Sequence, residues 1–261
     1  TVVSSIIALM LPPSHNMIIY SISAGGRLSI ADLFTAGILP GLLLAVSLMV
    51  TAWFVARRAG YPTERFPGLS ALGAMFINAI PGLLLIGIIF GGVRSGVFTA
   101  SESSCIAAVY ALLVTTLAYR TMHWPEFVAA TKAAVRTTAM VLLVIGCAAS
   151  FGWLLAFLRI PAELVAFMKG ISENPLIILL MINVMLLLLG MIMDMAALIL
   201  ICTPIFLPIA QSTGMDPTQF GIMMLMNLGL GLCTPPVGAC LFVGCAVGRV
   251  PIKVISFSQE Y

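Results

Sequence analysis

Charge is what this chain has least of. Only 8% of its 261 residues are Asp, Glu, Lys or Arg, where a soluble domain carries about 25%. With 61% hydrophobic residues and a mean hydropathy of +1.17, that scarcity excludes a soluble globular domain. It indicates an all-α polytopic membrane protein. The formal net charge is +3 and the basic residues are scattered at loop ends, so there is no basic patch for nucleic acid. None of the six cysteines forms a CxxC pair and none has a histidine nearby. Cys105, Cys147, Cys202, Cys233, Cys240 and Cys245 sit inside apolar runs and read as small membrane-helix residues. No HExxH, GxSxG or P-loop occurs, so no enzyme constellation and no direct ATP drive is expected within the chain. A cleavable signal peptide is not visible either, because Thr1 already lies in an apolar run without a basic flank. With no starting Met and an abrupt end after Pro251-Ile252, a piece of a longer protein is expected.

What is present in quantity is glycine and methionine, 23 and 16 residues, which suit close helix packing in lipid. Two short proline-rich segments stand out. Leu11-Pro12-Pro13-Ser14-His15-Asn16 precedes the apolar run Met17–Tyr20 and then Gly25; Thr234-Pro235-Pro236-Val237-Gly238 precedes Cys240–Val243 and then Gly248. The offset that pairs Pro12 with Pro235 also pairs Gly25 with Gly248. A Pro-Pro pair lacks two backbone N–H groups and frees carbonyls from helical bonding. In lipid such a break is tolerated only where those carbonyls are buried in protein or face a polar cavity. Two breaks in corresponding places point to a transporter site.

The coarse organisation follows from the apolar runs. Residues 1–30 form a discontinuous helix around the first Pro-Pro, and residues 31–68 hold a span over Leu33–Ala56 and a polar connector. Residues 69–174 hold spans over Leu69–Phe90, Ser103–Tyr119 and Ala139–Leu158, with Arg120–Arg136 expected as a polar interfacial arm. Residues 175–261 hold two short apolar arms, Leu176–Leu189 and Ala196–Ala210, and then the second Pro-Pro element. The first arm, about 14 residues, is short for a span and suits a re-entrant hairpin. Arg57, Arg58 and Arg65 form one basic cluster, and Arg120, Lys132 and Arg136 another two spans later. Both are expected on the cytoplasmic side. Counting outward from them, the two Pro-Pro elements cross the membrane in opposite directions, which is the inverted-repeat signature.

The chemistry-bearing residues cluster at these breaks. Asp194 is the only acidic residue between Glu173 and Asp216, at the apex of the two short arms. Two readings are open: a cation or proton ligand facing the second break, or an N-cap for the following arm. One residue can do both. Ser14 and Thr234 flank the Pro-Pro pairs, and a hydroxyl with freed carbonyls makes an oxygen cage suited to a hard cation such as Na+; local capping is the alternative. The expected Na+ set is Ser14, Leu9, Asp194, Gly231, Thr234 and Pro235, with the Leu232 carbonyl as a further ligand. His15 and Asn16 stand on the first break, where they bind an anionic substrate or relay a proton, or are structural. The expected substrate-binding set is Ser14, His15, Asn16 and Asp194. Thr99 and Glu102 have capping-box spacing, with a place in the ion path as the alternative. Asn78, Pro81 and Asn227 lie within spans and read as packing or kink residues, and His123 lies in a polar loop.

Three stretches carry a resemblance to a known family. They are Gly190-Met191-Ile192-Met193-Asp194, Thr203-Pro204-Ile205-Phe206-Leu207-Pro208, and Asn227 to Gly238 with its Thr-Pro-Pro-Val-Gly. With Pro12-Pro13-Ser14, Ala36 to Gly41 and Gly92 to Glu102, they resemble the large membrane subunit of the tripartite ATP-independent periplasmic (TRAP) transporters. The resemblance covers essentially the whole chain. It implies a secondary, Na+-coupled importer of organic acids such as a sugar acid, a sialic acid or a C4-dicarboxylate. It implies an elevator motion, inverted repeats that each pair a re-entrant hairpin with a broken helix, and Na+ sites near the breaks, onto which Asp194, Thr234 and Ser14 map. Na+ is then a coupling ion and no other cofactor is implied. The implied partners are a small four-helix membrane subunit and a periplasmic solute-binding protein, and the implied location is the bacterial inner membrane. The family's first hairpin and N-terminal scaffold are missing, so the chain is expected to be roughly the C-terminal three-fifths of such a subunit and not to transport alone. It departs from the family pattern at His15-Asn16, Ala100 and Ala8.

Two other readings stand beside this one. A stand-alone carrier or channel of a related inverted-repeat superfamily would work without a binding protein. A membrane scaffold or intramembrane enzyme leaves the duplicated breaks unexplained and lacks catalytic residues.

Overall fold

The computed structural model describes residues 4–26, 28–60, 68–172, 174–235, 238, 240, 241, 244 and 245. Among them the chain forms ten α-helices and no strand: α1 (Ser5–Met10), α2 (His15–Ser23), α3 (Ile30–Ala59), α4 (Leu69–Arg94), α5 (Ala100–Leu113), α6 (Trp124–Phe157), α7 (Ile160–Ile171), α8 (Pro175–Gly190), α9 (Met195–Ser212) and α10 (Pro217–Leu232). A π turn, Val114–Ala118, prolongs α5. Five segments are long and apolar enough to cross a membrane: Ile30–Ala59, Leu69–Arg94, Ser101–Ala118, Trp124–Leu155 and Met195–Ser212. This is the pattern of a multi-pass membrane protein, in which every backbone polar group must be satisfied inside its own segment.

The helix starts are written in local chemistry. Asn174, Asp194 and Asp216 cap α8, α9 and α10 with side-chain oxygens that accept from the backbone two residues on. Pro175 and Pro217 occupy first-turn positions, where a missing N–H costs no helical bond. Thr99 and Glu102 form the expected capping box at the start of α5, with Thr99 N–H donating to Glu102 Oε2 at 2.8 Å.

The chain divides into two units. Unit 2, Val46–Met140, contains the end of α3, all of α4 and α5, and the start of α6. Its α4 and α5 pack together: the Tyr110 hydroxyl donates to the Pro81 carbonyl at 3.1 Å, and the Phe98 ring covers Gly92. No residue in the most apolar window of α4 is buried, as expected of a helix that is apolar on all faces and solvated by lipid.

Unit 1, Thr1–Ala45 with Val141–Tyr261, carries the core. Tyr20, Phe34, Phe220, Met10, Met17 and Ile178 are fully buried there. α8 lies along α10, α2 along α9, and α9 against α7 and α10. Half of the α9 window is buried, so α9 is the centre of this unit.

Two segments differ from the sequence expectation. Arg120–Arg136 is not a separate arm: from Trp124 it is helical and continuous with the following span, making α6 34 residues long. Pro125 sits in the first turn, and Glu126 to Thr138 holds no glycine or proline that would stop the helix. The turn that precedes it is short, with Thr121 N–H bonded to Thr115 O at 3.0 Å and Arg120 at φ 50°. The second apolar arm extends to 18 residues as α9, long enough to span by itself, and runs unbroken through Pro204 and Pro208.

Candidate functional site

The first Pro-Pro pair separates α1 from α2 as expected. Leu11 is extended at φ −88°, ψ 139°, and Ser14 at φ −110°, ψ 120°. Ser14 occupies the N-cap position of α2 but does not cap it. Its hydroxyl donates back across the break to the Leu9 carbonyl at 2.7 Å. One of the orphan carbonyls of α1 is therefore satisfied by Ser14, which is itself buried. The break is seated on α3, where a Cβ on Gly37 would come within 2.6 Å of the Met10 carbonyl. Beyond it, His15 and Asn16 face opposite ways: His15 is exposed and Asn16 is 2% exposed.

The hairpin tip is Met191–Asp194, between α8 and α9. The Asp194 carboxylate accepts the Ala196 N–H at 3.0 Å, so the capping reading of this residue is realised, with Asp194 itself exposed. The second break begins where α10 ends at Leu232. Thr234 donates its N–H to the Gly231 carbonyl at 2.9 Å and its hydroxyl to Leu230 O at 2.7 Å. Pro235 is exposed; Pro236 and Val237 lie outside the described residues.

Three sequence-distant pieces meet here. The hairpin tip is held to the second break: Gly238 N–H donates to Met191 O at 3.3 Å, and a Cβ on Gly231 would stand 2.8 Å from the Gly190 backbone. Only paired glycines let α8 and α10 close to that distance. The hairpin tip also meets the first break, because Asn16 Nδ2 donates to Met195 Sδ at 3.3 Å. The two proline elements meet as well. Leu9 and Ile6 approach Gly229, the Tyr20 ring covers Gly221, and Tyr20 donates its hydroxyl to Pro217 O at 2.6 Å. The early element therefore runs antiparallel to α10. α2 runs parallel to α9, since Asn16 meets Met195 and Ser23 Oγ reaches the Ile199 and Leu200 carbonyls at 3.4 and 3.3 Å.

Of the sequence-selected residues, Ser14 and Leu9 are bonded to each other, Asn16 and Asp194 lie on adjoining pieces, and Gly231 and Thr234 lie on the second break. Among the described residues His15 is brought to no partner, and Leu232 is buried. Among the described residues no three His, Cys, Asp or Glu side chains cluster as a metal site. The oxygen donors that the arrangement offers a hard cation are the carbonyls and hydroxyls at the breaks and the single carboxylate of Asp194.

Sequence reading missed Asn183. Its side chain on α8 faces Asn227 on α10: Asn227 Nδ2 donates to Asn183 O at 2.9 Å and to Asn183 Oδ1 at 2.7 Å, while Asn183 Nδ2 donates to Leu179 O at 2.9 Å. The only sequence signal was a polar amide in each of two apolar helices. Buried Thr203, on α9, bonds its own helix at Ile199 O.

The family described as the tripartite ATP-independent periplasmic transporter, DctM component, matches residues 1–258. The chain is 45% identical over 97% of its length to the uncharacterized protein YgiK of Salmonella typhimurium. It is 37% identical over 98% of its length to the sialic acid TRAP transporter large permease protein SiaM of Vibrio cholerae. It is 38% identical over 94% of its length to the C4-dicarboxylate TRAP transporter large permease protein DctM of Pseudomonas aeruginosa. It spans 58%, 60% and 57% of these relatives, respectively.

Proposed function

Because this chain belongs to the family of the DctM component of the tripartite ATP-independent periplasmic transporters, we propose that it forms the transport-site part of a large membrane subunit that imports an organic acid with Na+. The sialic acid and C4-dicarboxylate relatives support a carboxylate substrate. A periplasmic binding protein delivers the acid, a small membrane subunit is the partner, and the bacterial inner membrane is the site of action.

One observation carries this reading: two helix breaks and a hairpin tip, distant in sequence, converge in one unit. A structural kink needs no second kink beside it. A carrier site needs several incomplete helix ends pointing at one place, because those ends supply carbonyls for the ion and N–H groups for the acid. The antiparallel run of the two proline elements supports an inverted repeat. The Gly231 carbonyl and Thr234 are the proposed Na+ ligands on the second break; Leu9 O and Ser14 are those on the first. Asp194 adds the negative charge beside them. α8 and α9 are read as the hairpin that travels with the site in an elevator motion.

The test uses the full-length subunit with its two partners in proteoliposomes. Organic-acid uptake is expected to need inward Na+ and the binding protein. Equal uptake with K+ in place of Na+ refutes sodium coupling. Equal uptake without the binding protein favours a stand-alone carrier.

A further inference from the structure

Asn16 is left unexplained by the ion sites. It is 2% exposed, and its Oδ1 has no hydrogen-bond partner among the described residues. The orientation of its amide is set by chemistry: a thioether sulfur only accepts, so the NH2 group is the end that faces Met195 Sδ at 3.3 Å. The oxygen therefore points away from that contact as an open acceptor, and an unpaired buried acceptor is costly enough that native structures seldom keep one without a reason.

Its surroundings decide what it accepts from. Asn16 is in the first turn of α2 and Met195 in the first turn of α9, and the two helices run parallel. Each N-terminus contributes about half a positive charge. The Asp194 carboxylate, one residue before Met195, contributes a full negative one. These terms nearly cancel, so the position favours neither a bare cation nor a second carboxylate. A neutral donor, O–H or N–H, is the group that completes it. Pro13, His15, Met193 and Asp194 are exposed around this point, so the amide lies one layer below an open rim. Its χ2 is a soft torsion, and bringing the oxygen to the rim gives up only a weak N–H···S contact.

We infer that Asn16 Oδ1 accepts a hydroxyl of the transported molecule, so that this transporter takes a hydroxylated acid in preference to a bare one. The inference rests on the organic-acid reading above. In it, Asn16 reads a hydroxyl of the acid and makes no contact with its carboxylate.

The experiment measures uptake by the complete transporter, with the same binding protein throughout so that its own selectivity cancels between variants. The probes are malate against succinate and gluconate against hexanoate. The wild type is expected to favour the hydroxylated member, and Asn16→Leu to reduce that ratio about tenfold through the KM of the hydroxylated acid, as expected for one lost hydrogen bond with a stranded partner. Asn16→Pro is the second variant, because a first-turn position tolerates proline; it decides the matter if the leucine protein does not express. An unchanged ratio in an active variant overturns the inference and leaves the oxygen to a bound water. Equal loss of all four acids at normal expression also overturns it, making Asn16 a structural residue. If the wild type shows no Na+-dependent uptake of any acid, the importer reading itself has failed, which is a different result.

Discussion

Replacing Asn227 with leucine removes the amide that ties the hairpin arm α8 to α10. In the structure this amide donates two bonds to Asn183, at 2.9 and 2.7 Å. Interhelical hydrogen bonds in membranes average about 0.6 kcal/mol and reach about 1.7 kcal/mol. Losing two therefore costs about 1–3 kcal/mol, with Asn183 Oδ1 left facing hydrocarbon. One term opposes this. Asn227 Oδ1 is already buried without a partner among the described residues, and leucine removes it, so the net loss is expected near the lower end. A double-mutant cycle with Asn183→Leu isolates the pair, because the double variant strands neither partner. The assay is reversible unfolding of the full-length protein in mixed micelles, followed by helical circular dichroism. The single variants are expected to lose about 1–2 kcal/mol each, and the coupling to exceed about 0.5 kcal/mol. A coupling indistinguishable from zero refutes the argument that the side-chain pair ties α8 to α10.

Two further substitutions separate roles that overlap in the native chain. Gly231→Ala places a methyl 2.8 Å from the Gly190 backbone, which forces the hairpin tip off the second break; a cysteine at position 191 should then react faster with a maleimide, and an unchanged rate rejects the close approach as a constraint. Asp194→Asn keeps an N-cap acceptor for Ala196 and deletes the charge, so stability should stay within about 0.5 kcal/mol of wild type while Na+-dependent uptake falls at least tenfold. Normal uptake removes the Asp194 charge from the mechanism.

Particular elements show how far the sequence reaches. The break at Pro12-Pro13, the caps at Thr99 and Asp194, and the length of α3 follow from local chemistry: proline lacks a donor, a carboxylate accepts first-turn N–H groups, and 30 residues span a bilayer. The Arg120–Arg136 segment was misjudged for a related reason. Charged residues lower its hydropathy, but no residue there stops a helix, and backbone bonding decides continuity. Ser14 was rightly placed at a break, yet its hydroxyl turned toward Leu9 O and not toward α2; both acceptor and donor were within reach, and only the fold chose.

By itself the sequence determined the membrane class, the helices, the two breaks and the family. Each is a property of a residue and its near neighbours in a solvent without water. The tertiary structure alone decided that Asn183 meets Asn227, that Gly190 meets Gly231, that Asn16 lies against Met195, and that α2 runs parallel to α9. Those pairs are 41 to 179 residues apart, with no short-range rule to join them. In lipid, helices are selected for one another by small residues and scattered amides rather than by apolar surface, which every helix has in excess. The breaks were legible as breaks; that they lie beside the hairpin tip was decided by packing.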